Sequence, residues 1–321
     1  MVSALQRNIG MKQNAREWAR YHIGRINAVR VLVLGGTGVI GSAVVRELVA
    51  RGHDVVGLAR SEASAAKLKQ SGAAAVSGDI AAPERWISAL PRLDAAIHMA
   101  CDFASDMEAV DRRLLDALLP ALAAQKQRVR FIYTGGCWLF GDTGDEAATE
   151  ASPFRPLPAF AWMVPHLQRV LAAREVDGTV IHPAMVYAGA DGVFSRFARE
   201  AVGRDAIRVV GSEAVRWPLV HSEDLAALYA LVLEQAPARE SYIGVSVEAL
   251  PVGRIARAFA RRSGTARQQP AIISPEAIAA ELGEWARGYA LGQRLSGAKA
   301  RRELGWQPRY LDPENEIGRL P

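Results

Sequence analysis

The sequence predicts an α/β protein built on a doubly wound parallel sheet, with a smaller, mostly helical C-terminal lobe. From Val29 onward short apolar runs alternate with helical patterns, as parallel strands joined by right-handed crossovers require. After Tyr187 this rhythm changes, and shorter strands mix with charged helical segments. Half of the 321 residues are hydrophobic, which is enough to bury a core of this size.

Six strands are predicted for the parallel sheet. VRVLVLG (29–35) is a continuous apolar run, which is typical of a strand covered on both faces. The others are predicted at 53–60, 73–79, 93–100, 129–136 and 178–187. Helical patterns lie between them, one of which contains Pro165 to Ala173.

The predicted domains follow from this pattern. Residues 1–28 are basic and weakly amphipathic, and we interpret them as an extension outside the main fold. Residues 29–187 form the main α/β domain, to which about 222–246 return. A substrate-binding lobe is predicted at about 188–221 and 247–321.

Composition narrows the classes of partner. The formal charge of +5 comes from scattered arginines without interleaved aromatic residues, so no nucleic-acid surface is predicted. No apolar run is long enough for a membrane span, so no membrane is expected. The cysteines, Cys101 and Cys137, lie in apolar stretches outside any metal or disulfide motif. We therefore expect both side chains to be buried and no metal to be bound. A cytoplasmic location is expected for the same reason.

A glycine loop follows the first strand and opens a helix. GGTGVIG places glycines at 35, 38 and 41, with Thr37, Val39 and Ile40 between them. Gly35 permits a tight turn, Gly38 permits close approach of a pyrophosphate, and Gly41 permits helix–strand packing. The helix N-terminus then offers free N–H groups to phosphate. The loop therefore predicts dinucleotide binding on a Rossmann-type domain.

The second strand ends in Arg60 and Ser61, where an acidic residue would bind the ribose 2′-hydroxyl of NAD. An arginine there can instead hold the 2′-phosphate of NADP. NADP(H) is therefore favoured and NAD(H) remains possible. A solvated arginine is the alternative interpretation.

Several segments occur in one order: GGTGVIG, GDI (78–80), LDAAIHMA, FIYTGGCWLFG, HPAMVYAG and AKARRELGWQP. Together they resemble the extended short-chain dehydrogenase/reductases of the NAD-dependent epimerase/dehydratase superfamily. The resemblance covers roughly residues 30–308. It implies a cofactor site in which Asp79 and Ile80 bracket the adenine, Met99 and Ala100 lie along the ribose, and Pro183 faces the nicotinamide. Thr134 and Gly135 would lie beside the nicotinamide ribose.

The sequence departs from that family at its catalytic motif. Typical members use a Ser or Thr with a Tyr-x-x-x-Lys pair, in which the tyrosine transfers the proton. None of the seven tyrosines here is followed four residues later by lysine. Alignment of the helix puts Phe160 at the tyrosine position and Val164 at the lysine position, and Gly136 stands at the hydroxyl position. The resemblance is therefore to an atypical subgroup that lacks the usual motif.

The catalytic residues stay open at this stage. Candidates are Thr134, His166, early in the suspect helix, and Tyr187, after strand six; structural packing is the alternative for each. His98 is expected to be a hydrogen-bonded core histidine. An apolar substrate pocket is predicted from Cys137, Trp138, Phe160, Trp162 and Trp217.

Three functions remain. The first is NADP(H)-dependent reduction or oxidation of a small apolar carbonyl or alcohol. The second is a non-catalytic NADP-binding redox sensor or regulatory protein, which the missing motif favours. The third is a nucleotide-sugar epimerase or dehydratase. A small-molecule substrate is expected, and a homodimer through the helices after strands four and five is possible.

Overall fold

The structure, a computed structural model, describes residues 28–203, 206–264 and 269–320. Residues 1–27 of the predicted N-terminal extension lie outside these described ranges. The strands are β1 (Arg30–Leu34), β2 (Asp54–Ala59), β3 (Ala74–Ser77), β4 (Ala95–His98), β5 (Arg130–Thr134), β6 (Asp177–Pro183), β7 (Met185–Ala188), β8 (Asp191–Gly192), β9 (Arg208–Val210), β10 (Arg216–His221), β11 (Ser241–Gly244), β12 (Val247–Pro251) and β13 (Ala271–Ile273).

The α-helices follow the strands in alternation through the first two thirds of the described chain. They are α1 (Val39–Ala50), α2 (Glu62–Gln70), α3 (Met107–Ala123), α4 (Met163–Ala172), α5 (Ser195–Gly203), α6 (Ser222–Gln235), α7 (Val252–Arg262), α8 (Pro275–Leu282), α9 (Ala298–Leu304) and α10 (Pro313–Gly318).

The large sheet has seven strands in the order β11-β6-β5-β4-β1-β2-β3, and every pairing in it is parallel. Strand β1 shows why its sequence is apolar throughout. Val31 and Val33 join the core beneath α1 and α6, whereas Leu32 and Leu34 join the core beneath α3 and α4. The doubly wound parallel fold predicted from the sequence is confirmed.

The order of the strands fixes the place of the site. The chain adds β2 and β3 on one side of β1 and then crosses to β4 on its other side. Where the order reverses in this way, a crevice opens outside the carboxyl ends of the strands. Gly35 follows β1 and Met99 follows β4, so both lie at this crevice.

The predicted sixth strand, 178–187, is two strands in two sheets. Strand β6 ends at Pro183, and β7 begins two residues later in a four-stranded sheet of order β12-β10-β7-β8. Proline has no N–H to donate to a strand ladder, which favours a strand end at this point. Between the two strands, Ala184 N donates to Gly244 O at 2.9 Å.

The remaining elements surround this small sheet. Strands β9 and β13 form a parallel pair, and α5 and α7 to α10 complete the C-terminal part. The chain also returns to the large sheet, because β11 pairs with β6 and α6 packs on α1. Within the described ranges, no helix combines the length and apolar character needed to cross a membrane.

Candidate cofactor and substrate site

The glycine loop has the shape that a dinucleotide pyrophosphate needs. Gly35 has a φ of 86°, and a Cβ there would lie 2.8 Å from the backbone nitrogen of Ala100. A Cβ at Gly41 would collide with the carbonyl oxygen of Gly35. Gly38 precedes α1 and provides no side-chain cap, so the first N–H groups of the helix stay available for phosphate. These residues therefore fit the cofactor that the loop predicts.

A cavity of about 540 Å³ extends from this loop across the ends of β4, β5 and β6. Ten of the predicted cofactor residues line it: Gly35, Gly38, Val39, Ile40, Gly41, Met99, Ala100, Thr134, Gly135 and Pro183. They come from four separate segments, and the parallel sheet brings them to one edge.

The other five predicted cofactor residues are not part of the cavity lining. Arg60 is exposed, and its Nη1 lies 3.9 Å from Oδ2 of Asp102. Ser61 caps α2 by accepting a hydrogen bond from the backbone N–H of Ser64. Asp79 accepts a hydrogen bond from Ala81 N at 2.9 Å, which fixes its carboxylate in the turn after β3.

Thr37 and Ile80 complete this set. Thr37 lies within the glycine loop, and Ile80 is buried next to Asp79. Because β2 and β3 are neighbours with Ala59 opposite Ser77, the segments that carry Arg60 and Asp79 leave the sheet side by side. The adenine and ribose end of the cofactor at these segments stays a prediction.

Aromatic side chains form the other end of the cavity. Of the five predicted pocket residues, Cys137, Trp138, Phe160 and Trp162 line it. Trp217 does not. It is buried in the small sheet, where its Nε1 donates to the carbonyl oxygen of Tyr289, so the prediction for Trp217 is wrong.

Three aromatic residues that the sequence did not indicate complete this wall: Phe103, Trp285 and Tyr289. Trp138 stacks on Trp285 with ring centroids 6.2 Å apart, and Phe103 lies 5.1 Å from Trp285. Trp285 and Tyr289 belong to the short helix Glu284–Ala290, far along the chain from the glycine loop. We call Phe103, Trp138, Phe160, Trp285 and Tyr289 the aromatic wall.

Three residues stand where the family's catalytic motif would be. Two of them, Phe160 and Val164, have apolar side chains, and the third, Gly136, has none. Phe160 is buried in the aromatic wall, at the end of the short helix Pro158–Phe160. A Cβ at Gly136 would meet no atom of the described residues within 4 Å, so this position has space for a side chain but carries none. Val164 is not among the residues that line the cavity.

The three candidate catalytic residues have different environments. Thr134 lines the cavity and shares a 2.6 Å hydrogen bond with the hydroxyl of Tyr229. Tyr187 is fully buried in the small sheet, stacks on Phe194 and donates to Oε1 of Glu316 at 3.3 Å. Burial and the Glu316 carboxylate raise the pKa of Tyr187, and it does not line the cavity. We therefore no longer consider Tyr187 a candidate acid.

His166 belongs to a buried cluster that the sequence did not reveal. Its Nδ1 lies 2.6 Å from Oδ2 of Asp111, which also accepts from the hydroxyl of Tyr133 at 2.9 Å. The other carboxylate oxygen lies 2.7 Å from Nε2 of His98. We call Asp111, His98, Tyr133 and His166 the Asp111 cluster; all but His166 line the cavity.

The Asp111 cluster holds its carboxylate in the charged form. Burial alone would raise the pKa of Asp111, but hydrogen bonds from His166, His98 and Tyr133 outweigh it, and the pKa lies below its ordinary value. Burial and the neighbouring carboxylate raise the pKa of Tyr133 well above its ordinary value. His98 is therefore the buried, hydrogen-bonded histidine that the sequence predicted, and it also reaches the cavity.

Both cysteines line the cavity, but only one is buried. Cys137 is buried, and burial raises its pKa to about 12. Cys101 is exposed, which contradicts the expectation that both would be buried, because it follows β4 in the loop at the cavity edge.

The fold and the glycine loop define a Rossmann-type protein with a dinucleotide site. A model of the NAD dependent epimerase/dehydratase family matches residues 31–244, and the chain belongs to this family. The family was the one expected from the order of the sequence motifs.

Two relatives match over most of their length. The uncharacterized protein C2A9.02 of Schizosaccharomyces pombe is 28% identical over 290 residues, which cover 88% of this chain and 96% of that protein. The uncharacterized protein YLL056C of Saccharomyces cerevisiae is 29% identical over 296 residues, with the same coverage of 88% and 96%.

Solved structures show the same fold. DesIV, the dTDP-glucose 4,6-dehydratase of Streptomyces venezuelae with NAD and TYD bound, has a TM-score of 0.75 at 21% identity, covering 90% of this chain and 95% of that one. The human epimerase family protein SDR39U1 with NADPH has a TM-score of 0.72 at 20% identity, covering 91% and 98%. At these identities the likeness is one of fold alone.

Proposed function

We propose that this protein is an NADP(H)-dependent oxidoreductase acting on a small apolar carbonyl or alcohol. The observation that carries the proposal is the single cavity that joins the glycine loop to the aromatic wall. A dinucleotide held at the loop would direct its reactive end along β4 and β5 toward that wall. The wall then offers a dry, apolar surface to the substrate, the usual character of a small-molecule site.

The charge of the cavity favours an uncharged substrate. Among the described residues that line it, none is a lysine or an arginine. A nucleotide-sugar substrate carries a diphosphate, which proteins usually hold with arginine, lysine or a helix N-terminus. The aromatic wall supplies none of these, so it supports a sugar-nucleotide epimerase or dehydratase less well than a carbonyl reductase.

The preference for NADP(H) rests on Arg60. Its guanidinium is exposed at the end of β2, and its nearby acidic group is Asp102 at 3.9 Å. Such a loose, exposed ion pair contributes little to stability and leaves the guanidinium free to bind a 2′-phosphate.

Substitution of Arg60 tests this preference. Loss of a charge-assisted hydrogen bond costs about 1.5–3 kcal/mol, so R60A is expected to weaken NADPH binding about 10- to 100-fold and NADH binding far less. Binding is measured by quenching of tryptophan fluorescence. The matched control is R112A, another exposed arginine in an ion pair with a carboxylate. Equal losses for both cofactors in R60A would overturn the preference.

A non-catalytic NADP-binding protein is the second candidate function. Phe160 and Gly136 favour it, because the usual acid and hydroxyl positions hold no such groups. The two functions separate in one assay, in which NADPH oxidation is followed with a panel of aromatic and aliphatic aldehydes, ketones and quinones. Turnover of any of them supports the oxidoreductase. Tight binding that discriminates NADPH from NADP⁺ without turnover would overturn it in favour of the sensor.

A further inference from the structure

The aromatic wall differs from the other large group of aromatic side chains in the described chain. The C-terminal core leaves at most 2% of each of its rings exposed: Tyr187, Phe194, Phe197, Trp217 and Phe259. In the aromatic wall only Phe160 is buried. Phe103 is 52% exposed, and the other three members are partly exposed. All five line the cavity, and uncovered apolar surface in a concave site marks a place for a ligand.

The indole N–H groups set two of these residues apart. Four of the six tryptophans that the structure describes donate Nε1–H to a backbone carbonyl oxygen: Trp86, Trp162, Trp217 and Trp306. Trp138 and Trp285 make no such bond to a described residue, and their Nε1 atoms are not fully buried either. Both tryptophans of the aromatic wall therefore keep an accessible N–H that a hydrogen-bond acceptor can reach.

Gly288 determines where Trp138 lies in the wall. A Cβ at Gly288 would lie 2.5 Å from Cδ2 and Cε2 of Trp138, the two atoms that the rings of the indole share. An atom this close to the ring junction approaches from above the ring plane, so the backbone of Gly288 covers one face of the indole. Gly288 does not line the cavity, whereas Trp138 does. The glycine therefore leaves the indole room to lie back from the cavity.

We propose that the aromatic wall selects carbonyl or alcohol substrates that carry a planar aromatic ring, with Trp138 and Trp285 as the residues that determine this specificity. The proposal rests on the oxidoreductase function proposed above and narrows its substrate class. Trp138 follows Thr134 and Gly135 closely in the chain, so the wall begins beside the place predicted for the nicotinamide ribose.

Ring recognition follows from the chemistry of the wall. Aromatic rings that stack or meet edge to face attract each other beyond the effect of the apolar area that they bury. A saturated ring of the same size buries a similar area but lacks this attraction. A polar substituent on an aromatic ligand can also accept a hydrogen bond from an indole N–H.

Two ketones that differ only in the saturation of the ring test the selection. Acetophenone and cyclohexyl methyl ketone have the same carbon skeleton and the same carbonyl group. Their Kd values are measured by ligand-observed NMR, with and without saturating NADP⁺, which cannot reduce them. Acetophenone is expected to bind more tightly by about 2- to 10-fold for each ring contact that it makes. Equal Kd values, or tighter binding of the saturated ketone, would overturn the proposal.

Substitutions at the two tryptophans locate the preference. W138L and W285L each remove a ring and are expected to reduce the preference for acetophenone by about 2- to 10-fold. W138F and W285F keep a ring and are expected to retain most of it, which separates the loss of a ring from a general loss of packing. A preference that survives intact in both leucine variants would refute the role of the indoles.

Two phenylalanines provide a matched pair of variants. Phe103 lines the cavity, whereas Phe154 packs against Phe140 and His182 and does not line it. F103L is expected to lower the preference for acetophenone, and F154L is expected to keep it. Equal losses in the two variants would mean that the preference does not come from the cavity.

A substitution behind the wall gives a further test. In G288A the new methyl group must displace the indole of Trp138, so acetophenone is expected to bind about 2- to 10-fold more weakly, the worth of one ring contact. The control is G318A, because a Cβ at Gly318 would meet no atom within 4 Å. An acetophenone Kd that is the same in G288A, G318A and wild type would contradict the place of Trp138 in the site.

The outcomes keep the two proposals apart. Ring-selective binding by a wild type that reduces no carbonyl would overturn the oxidoreductase function and leave the aromatic ligand site standing. Turnover of both ketones with equal Kd and equal kcat/KM would overturn only the ring selection. If W138L and W285L weaken NADPH binding as much as they weaken acetophenone binding, the wall holds the nicotinamide, and its assignment to the substrate is wrong.

Discussion

Two buried carboxylates, Asp111 and Glu200, sit in different halves of the molecule and have different partners. Glu200 on α5 is 4% exposed and pairs with Arg196 at 3.2 Å and Arg208 at 2.8 Å. Asp111 is bonded to two histidines and a tyrosine. Arginine keeps its charge at any accessible pH. The carboxylate of Glu200 is therefore compensated by two permanent positive charges, whereas the carboxylate of Asp111 is stabilised by three hydrogen bonds.

The largest expected effect is the loss of the charge at Glu200. Removing one partner of a buried ion pair costs about 3–5 kcal/mol, because the remaining charge stays buried without compensation. E200Q leaves Arg196, whose side chain is 7% exposed, in this condition. The free energy of unfolding, measured in urea, is expected to fall by this amount, while NADPH binding by the folded protein is unchanged. A loss below about 1 kcal/mol, the usual range for exposed pairs, would contradict the structural role assigned to Glu200.

The corresponding change at Asp111 is expected to cost less stability. D111N removes the charge but keeps a side chain of similar size whose amide oxygen still accepts hydrogen bonds, so the cost in unfolding free energy is about 1–3 kcal/mol. Urea unfolding beside E200Q provides the comparison. A loss in D111N as large as that in E200Q would contradict the difference between the two carboxylates.

The stability contribution of Asp111 is expected to depend on pH in one direction. Its pKa is lowered in the folded protein, so the carboxylate adds stability that is complete above the ordinary carboxyl pKa of about 3.9 and declines as the pH falls below it. The difference in unfolding free energy between wild type and D111N should therefore shrink as the pH falls from about 5 toward 3. Urea unfolding at several pH values measures it, and a difference that grows in acid would refute the lowered pKa.

The smallest effects come from two tyrosines with matched geometry. Tyr133 donates to Asp111 at 2.9 Å and Tyr187 donates to Glu316 at 3.3 Å, and both side chains are buried. Each Tyr→Phe change should cost about 1–2 kcal/mol of stability, near the boundary between the values for neutral hydrogen bonds and for hydrogen bonds to charged groups. Only Y133F is expected to lower kcat, by a few-fold. A similar loss of kcat in Y187F would remove the distinction between the cavity and the small sheet.

The two halves also differ in how far their sequences predict them. The strands of the large sheet, the glycine loop and the family follow from local patterns, because a doubly wound sheet demands apolar strands and a tight glycine turn at fixed places. The split of 178–187 into β6 and β7 could not be read from the sequence, since Met185 to Ala188 is apolar in either sheet. Trp217 was misplaced for a related reason. A tryptophan in an apolar strand faces either a cavity or a core, and packing against Tyr289 decides which.

By itself, the sequence determined the fold, a dinucleotide loop and the absence of Tyr-x-x-x-Lys. Only the tertiary structure decided which side chains surround Asp111 beside the cavity. His98 and His166 lie 13 and 55 residues from Asp111 along the chain, and Tyr133 lies 22 residues away. These sequence separations follow neither the helical nor the strand repeat, so the sequence pattern does not show that the four residues meet. They meet because β4 and β5 are neighbours in the sheet and α3 and α4 cover the same face, which is a property of the crossovers rather than of any segment.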